Sequence, residues 1–498
     1  MIEEEEIQVP IVFALSSDGN DEEEDRKTKD VLGSTEENEM EKPTFTYSQH
    51  CSQILAITCP IIMSEIFQNT MPVIDIIFVG RLGKDELAAA ALATVWFNLW
   101  NTSMLGFCTA IDTFLAQSYG AGELDSYKMW SGFSMIVVLF ATFIVAGLCA
   151  LCEPCMILFG QDRSIAAAAG EFSYRLLPGL LPYYAFRVCT KFLQSQDLIL
   201  PGVIIGFLAN GFNIFSNWLF IFQFELGVNG APWATSLTRA IQFIFMILYL
   251  LWRKDSLADT WPSFSLRKLS YNVVKPFLTL AFSGMFSFAA EAWSFEVTTI
   301  LAGLLGTIAL DSHTITLNIA TFIYLSFPFA VGIATSIKVG QLIGEGKAAD
   351  ARRSAIVAYG VNFAVQITLI AIVWPCSRLI ASLFSKDEEI VDLVASLIPL
   401  SCIFMLGDAV QANTGGALRG LGRQKLVLLL NILGFWLLAV PFGAVLAFAT
   451  NIGVRGLWWG FTVGLYSAAF IGILFLVFRV NWEKEAFKAQ RRIAQTSQ

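Results

Sequence analysis

This sequence is poor in charged residues, in histidine and in organised cysteine. Asp, Glu, Lys and Arg make up 15% of its 498 residues, whereas soluble domains carry about 25%. Only two histidines occur, and the nine cysteines have neither the spacing of a disulfide framework nor that of a metal site. These shortages argue against a soluble enzyme, a nucleic-acid-binding protein and a disordered scaffold, and we expect no metal centre or other cofactor.

Apolar residues are abundant instead, at 55% of the chain. They come in runs of about 20 residues, which is the length that spans a bilayer. We count twelve such runs between residues 52 and 478. Lipid offers no partners for backbone polar groups, so the runs must be helical. The sequence therefore predicts an all-α polytopic membrane protein with twelve transmembrane helices, whose natural partner is the lipid bilayer.

The formal charge of −9 comes from the beginning of the chain. Residues 1–42 hold 15 acidic and 4 basic side chains, a composition typical of solvated, disordered segments. We predict an acidic disordered tail over residues 1–48 and a second tail over 480–498. If both tails are cytoplasmic, the inside loops hold fourteen Lys and Arg residues and the outside loops six, as the positive-inside rule requires.

An internal repeat divides the membrane body. QSYGAG at 117–122 recurs as QLIGEG at 341–346, and GVNGAPW at 227–233 recurs as GVRGLWW at 453–459, with offsets of 224 and 226. Each copy covers six spans, an even number, so the two copies are parallel. Two parallel six-helix repeats around a central cleft are typical of alternating-access transporters. We predict an N-lobe over 49–252, a cytoplasmic linker over 253–272 and a C-lobe over 273–479.

Ionisable groups at membrane depth cost about 2.5–3.5 kcal/mol on insertion scales, so each one is a candidate for function. A carboxylate in such a setting can take up and release a proton, and two across a gap can hold a bare or an organic cation. The acidic candidates are Glu65, Asp75, Glu291, Glu296 and Asp408. The intramembrane cations are Arg175, Arg187 and Arg239.

Two further features accompany these acids: a proline close to Asp75 in the first span and a row of asparagines in the fifth span. Pro72 lies one turn before Asp75; it removes a hydrogen bond to the carbonyl of Gln68 and bends the first span. In the fifth span, asparagines lie on one helical face at positions 210, 213 and 217. Such a stripe is either interhelical hydrogen bonding or part of a polar site, and both interpretations stay open.

Four ordered segments resemble the multidrug and toxic compound extrusion (MATE) family of the eukaryotic type, over about residues 48–480. They are GFCTAIDTFLAQSYGAG (106–122), EAWSFE (291–296), ATSIKVGQLIGEG (334–346) and GDAVQANTGGALRGLGRQ (407–424). This family exports organic, usually cationic compounds in exchange for inward-moving H⁺ or Na⁺. The resemblance implies the same activity here.

The resemblance also assigns roles to single residues. It places Asp75 on the acid that bacterial members use in the N-lobe, Glu296 and Asp408 on the C-lobe acidic pair tied to cation coupling, where Na⁺ could bind, and Glu291 on the additional eukaryotic acid. In two places the chain departs from the pattern. Asn318 stands where some animal members have another Glu, and Asn217 replaces an N-lobe Asp. The predicted substrate and ion site therefore comprises Asp75, Glu291, Glu296, Asp408, Asn213, Asn217 and Asn318.

We expect a secondary active antiporter, not an enzyme, that exports small organic cations by alternating access in exchange for protons. We expect it to work as a monomer in a plasma membrane or in the membrane of an acidic organelle or vacuole. The alternatives are Na⁺ coupling and a flippase for lipid-linked precursors, which would need a cationic cavity. A membrane enzyme would need a nucleophile–base set or a metal cluster, and two histidines with no HExxH or similar spacing argue against it.

Overall fold

The computed structural model describes residues 44–82, 84–263, 271–450 and 452–497. The regular elements within these ranges are all helical. Pro43–Gln498 form one compact unit, and most of the predicted acidic tail lies outside the described residues. The all-α membrane architecture that the sequence predicts is therefore confirmed.

The first repeat contains seven α-helices. They are α1 (Tyr47–Val79), α2 (Lys84–Gly120), α3 (Leu124–Ala150), the short α4 (Cys152–Leu158), α5 (Arg163–Gln194), α6 (Leu200–Trp218) and α7 (Gly230–Trp252). A π-helical stretch, Leu219–Gln223, extends α6, and a 3₁₀ turn, Gly227–Asn229, precedes α7.

The second repeat follows the same order and ends in an additional helix. Its helices are α8 (Tyr271–Leu304), α9 (Thr307–Ser326), α10 (Pro328–Gly344), α11 (Ala348–Val373), the short α12 (Ser377–Phe384), α13 (Glu388–Gly420), α14 (Gln424–Asn431), α15 (Val440–Ala449), α16 (Val454–Phe478) and the additional α17 (Trp482–Ser497). A π-helical stretch, Ile432–Ala439, joins α14 to α15.

The twelve predicted spans correspond to these helices once the short ones are set aside. Within the described ranges, nine segments are long and apolar enough to cross a membrane by composition alone. The other three spans are α2, α5 and α8, which are 37, 32 and 34 residues long. The eighth predicted span is broken at Phe327 into α9 and α10, because Pro328 starts a new helix and lacks an N–H to continue the old one.

The two repeats meet through equivalent residues. The QSYGAG copy ends α2 and the QLIGEG copy ends α10, and these two helix ends cross at glycines. A Cβ atom added to Gly120 would lie 2.0 Å from the carbonyl oxygen of Gln341, and one added to Gly344 would lie 2.1 Å from that of Gln117. The contact is reciprocal, as expected for two halves related by a rotation. Only glycine permits so close an approach of two backbones.

The first helix of each repeat begins in the opposite half. Ile54 on α1 is buried with Val331 and Ala358 of the second repeat. Phe277 and Ala281 on α8 belong to the apolar core of the first repeat. The predicted lobe boundaries follow chain order, whereas the packing exchanges the beginnings of α1 and α8 between the halves.

Polar contacts between the repeats close one face of the molecule. Gln117 Nε2 donates to the carbonyl oxygen of Gly420 (2.8 Å), and its counterpart Gln341 Nε2 donates to that of Ser195 (3.2 Å). Thr113 Oγ1 donates to the carbonyl oxygen of Arg419 (2.7 Å). The name closed face is used below for these six residues: Thr113, Gln117, Ser195, Gln341, Arg419 and Gly420. It is the face that the loop charges predict to be cytoplasmic.

The predicted C-terminal tail is helix α17 through residue 497, and it lies on the closed face. It contacts the first repeat where Ser126 Oγ donates to the carbonyl oxygen of Ile493 (3.2 Å). It contacts the second repeat through an ion pair between Glu485 and Arg423 (2.6 Å). The tail thus bridges both repeats instead of extending freely into solvent.

Candidate functional site

Asp75 is held in the first repeat by neutral donors. It lies near the end of α1 and is 9% exposed. Its Oδ1 accepts from Asn217 Nδ2 (2.8 Å) and Asn213 Nδ2 (3.4 Å), and its Oδ2 accepts from the hydroxyl of Thr235 on α7. No ion pair reaches Asp75 within the described part of the chain. A buried carboxylate satisfied only by amides and a hydroxyl keeps the ability to bind a proton or a cation.

The asparagine stripe of α6 serves two purposes. Asn210 Nδ2 donates to the carbonyl oxygen of Phe67 on α1 (2.8 Å), one residue before the carbonyl that Pro72 is predicted to free. Asn213 and Asn217, one and two turns further along, hold Asp75. The side-chain amide oxygens (Oδ1) of both are buried without a partner among the described residues. With the carboxylate they offer the oxygen ligands that hard cations prefer.

Two other buried acids of this repeat are neutralised by ion pairs. Glu65 on α1 pairs with Arg187 (3.0 Å), and Asp112 on α2 accepts from Lys191 Nζ with both oxygens (2.6 Å each). Arg187 and Lys191 are one turn apart on α5. The sequence singled out Glu65 and Arg187 separately and missed Asp112 and Lys191, although an acid within the apolar GFCTAIDTFLAQ segment was a usable signal.

Glu291 belongs to a polar network of the second repeat that is centred on Asn431. Its Oε2 accepts from Asn431 Nδ2 (3.3 Å), which also lies 3.1 Å from both the backbone oxygen and the hydroxyl of Ser287. Asn431 Oδ1 accepts in turn from Gln411 Nε2 (2.7 Å). Asn431 comes from α14, at the start of the π-helical stretch, and nothing in its sequence context pointed to this role.

Asp408 lies close to this network. It is 4% exposed on α13, and its electrostatic neighbours include Glu291 on α8, Tyr324 on α9 and Tyr466 on α16. In the part of the chain that the structure describes, Asp408 makes no hydrogen bond or ion pair. Two acids thus lie near each other at one interior site without forming an ion pair among the described residues. This is an arrangement in which proton or cation binding relieves repulsion.

The remaining predicted site residues lie outside these two clusters. Glu296 is half-buried and has no hydrogen bond among the described residues. Its neighbour Phe295 packs against Phe404, Phe435 and Phe461. Asn318 is exposed on α9. The pairing of Glu296 with Asp408 that the resemblance implies stays a prediction, since the neighbour that the structure gives Asp408 is Glu291.

An aromatic contact joins the two repeats near Glu291. Trp293 on α8 is 41% exposed, and its ring meets that of Trp100 on α2 edge to face at 6.4 Å. Indole faces attract organic cations. An exposed indole two residues from a buried acid is thus a suitable surface for a flat cationic ligand.

The three intramembrane arginines do not line a common cavity. Arg187 is paired with Glu65. Arg239 lies over the rings of Phe97 (5.1 Å) and Tyr183 (4.7 Å). Arg175 donates to Glu171 (2.9 Å) and to Asn229 (2.8 Å). Arg175 and Arg187 therefore have acidic partners, whereas Arg239 is covered by aromatic rings, its Nη1 has no hydrogen-bond partner among the described residues, and Asp75 is an electrostatic neighbour.

Comparison with known proteins agrees with this repeated helical architecture. The MatE family model matches residues 60–219 and again residues 284–445, nearly two thirds of the chain, with starts 224 residues apart. That spacing equals the offset of the QSYGAG repeat. The chain belongs to the MatE family of multidrug and toxic compound extrusion transporters, and it is a multi-pass membrane protein.

Relatives and solved structures give the same result. The chain is 30% identical to Multidrug and toxin extrusion protein 1 of Xenopus tropicalis over 449 residues, covering 90% of this chain and 77% of that protein. It is 29% identical to the Homo sapiens protein of the same name over 447 residues, covering 89% and 77%. The fold matches the crystal structure of the eukaryotic MATE transporter AtDTX14 with a TM-score of 0.85, 26% identity and coverage of 90% and 99%.

Proposed function

We propose that this protein is a proton-coupled antiporter that exports organic cations by alternating access. Its relatives are named multidrug and toxin extrusion proteins, which supports small organic compounds as substrates. We further propose that it works as a monomer with both termini cytoplasmic, in a plasma membrane or the membrane of an acidic organelle. On this orientation the closed face is the cytoplasmic gate.

One observation carries the proposal: these acids of the membrane spans fall into two classes. Glu65 and Asp112 are neutralised by Arg187 and Lys191. Asp75, Glu291 and Asp408 have no ion pair within the described residues. Breaking a buried pair leaves an uncompensated charge and is strongly unfavourable, so the first class holds the helices together. The second class is available to bind a proton or an organic cation.

Competition for these carboxylates is sufficient for exchange. An organic cation entering from the cytoplasm is attracted by the charged acids and the nearby indoles. A proton arriving from outside neutralises the same acids, weakens the attraction and releases the cation. Because proton and substrate stabilise opposite states of one site, the inward movement of one drives the outward movement of the other.

Transport by purified protein in proteoliposomes tests this proposal. We expect wild type to exchange a fluorescent organic cation when a pH gradient is imposed, and Glu291→Gln, Asp408→Asn and Asp75→Asn each to lower the rate at least tenfold, the scale set by one lost charged interaction. Glu296→Gln, tested in parallel, decides whether that residue shares the site. Glu171→Gln, an exposed carboxylate on α5, is the control. Wild-type rates in both Glu291→Gln and Asp408→Asn would refute the assignment.

The coupling ion is decided by imposing the gradients separately. A pH gradient without Na⁺ should drive exchange, and a Na⁺ gradient at equal pH should not. The opposite result would establish the Na⁺-coupled alternative, for which the oxygens around Asp75 or the pair of Glu296 and Asp408 would supply ligands.

The flippase alternative has weaker support. A lipid-linked pyrophosphate needs a cationic cavity, whereas Arg175, Arg187 and Arg239 each contact a partner within their own repeat. The acids that have no ion pair within the described residues favour a positively charged substrate.

A further inference from the structure

Arg419 is a buried cation whose partner is missing. It lies at the end of α13 and is 6% exposed, and its Nη2 has no hydrogen-bond partner among the described residues. Its only ring contact there is a distant one, 6.0 Å from Phe288. Burying an unpaired charge is unfavourable, so the position of this guanidinium requires an explanation.

The side chain lies between the two repeats. Its electrostatic neighbours are Glu291 on α8, Tyr324 on α9 and Asp112 on α2. Both oxygens of Asp112 are already occupied by Lys191. Glu291 is therefore the neighbouring acid that is free to attract Arg419.

Glu291 has two neighbours of opposite charge on α13. Asp408 and Arg419 are eleven residues apart on that helix, which puts them on one face about 16 Å apart along the axis. The side chain of Glu291, which comes from α8, is an electrostatic neighbour of both. Charged Glu291 attracts Arg419 and repels Asp408, and neutral Glu291 does neither.

The backbone of the same residue belongs to the closed face. The carbonyl oxygen of Arg419 accepts from Thr113 Oγ1 (2.7 Å), and that hydroxyl accepts from Gln424 Nε2 (3.0 Å). The next carbonyl along, that of Gly420, accepts from Gln117 Nε2. The side chain of Arg419 is thus an electrostatic neighbour of Glu291, and its main chain takes part in the contact between the repeats.

We propose that Arg419 is the positioning residue that couples the charge of Glu291 to the closed face. This inference rests on the proposed function and extends it. Charged Glu291 holds the guanidinium and, through it, the end of α13 against α2. When a proton neutralises Glu291, that attraction is lost, the end of α13 is released, and the hydrogen bonds to Thr113 and Gln117 break. The face opens only after the acid has been loaded.

The test measures opening of the closed face without transport. Fluorophores are attached through non-natural amino acids at Asp125 on α3 and Arg352 on α11, two exposed positions beside the closed face, and their distance is followed in nanodiscs. We expect Glu291→Gln to raise the ratio of open to closed molecules about tenfold, a typical coupling between sites. Arg419→Met should have a similar effect, and the double variant should exceed neither single variant.

Two further variants, and transport by wild type, complete the experiment. Arg419→Lys keeps the charge and should retain much of the response to Glu291→Gln, which also covers the case in which Arg419→Met fails to fold. Arg175→Met removes an arginine that contacts neither Glu291 nor the closed face and should leave the distances unchanged. Additive effects of Glu291→Gln and Arg419→Met, or a folded Arg419→Lys with no response, would overturn the inference. Failure of the proposed function is seen separately, as absence of exchange by wild-type proteoliposomes.

Discussion

The close crossing of α2 and α10 makes Gly120 the most informative single position on the closed face. In Gly120→Ala the new Cβ would lie 2.0 Å from the carbonyl oxygen of Gln341, a backbone atom, whereas ordinary contacts begin at 3.4 Å. Rotamer changes cannot relieve a clash between a Cβ and a main-chain oxygen. The two helix ends must therefore separate by more than about 1 Å, since packed interiors have no space to absorb the change.

The energetic effect follows from the hydrogen bonds that this separation breaks. The donors Thr113, Gln117 and Gln341 each reach a carbonyl oxygen of the other repeat. A hydrogen bond contributes about 0.5–1.5 kcal/mol net, so losing three disfavours the closed state by roughly 1.5–4.5 kcal/mol. Because each ~1.4 kcal/mol is a factor of ten, the ratio of open to closed molecules should rise at least tenfold.

Distances between fluorophores at Asp125 and Arg352 again provide the assay. Gly344→Ala, the symmetry-related change, should act like Gly120→Ala, since its Cβ would lie 2.1 Å from the carbonyl oxygen of Gln117. Gly147→Ala on α3 is the control, because no heavy atom lies within 4 Å of its added Cβ. An unchanged distribution in folded Gly120→Ala, or a shift in Gly147→Ala as large as in Gly120→Ala, would refute the reasoning.

Two further predictions concern the ion pair between Glu65 and Arg187 and helix α17. Arg187→Met leaves Glu65 buried without its cation and should destabilise the protein by about 3–5 kcal/mol. Thermal unfolding in detergent measures this, and Arg187→Met combined with Glu65→Leu should recover most of the loss, whereas equal destabilisation in single and double variants would contradict it. Ending the chain after Val480 removes the bridge that Ser126 and Arg423 make with α17. The truncated protein should populate the open state more than full-length protein in the fluorophore assay, and an unchanged population would show that α17 does not hold the face closed.

The number of spans and the internal repeat can be predicted from the sequence, because each depends on a pattern along the chain and not on contacts between distant residues. Bilayer thickness fixes the length of an apolar run, so twelve spans can be counted without a structure. The offset of QSYGAG and QLIGEG specifies two equivalent halves, and the family match begins again after the same 224 residues. The burial of Asp75, Glu291 and Asp408 could also be anticipated, since an acid within an apolar run has few other places to lie.

Only the tertiary structure decides which buried acids are neutralised. Glu65 and Asp75 lie on the same helix and look alike in the sequence. A side chain that extends from α5 gives the first a cation, and packing against α6 and α7 gives the second amides and a hydroxyl. The partners are more than a hundred residues away along the chain, and no local pattern encodes their meeting.

The small number of charged residues therefore identifies a membrane protein, but it does not tell which of its buried charges are paired. The sequence by itself established a membrane protein with two equivalent halves, because hydrophobic length and repetition are properties of the chain. Only the tertiary structure pairs Glu65 with Arg187. It also places Glu291 near both Asp408 and Arg419. It lets Gln117 and Gln341 each donate a hydrogen bond to the other repeat. These relations depend on how helices distant in sequence pack, and packing determines where a lone charge finds a partner and where it stays available for a ligand.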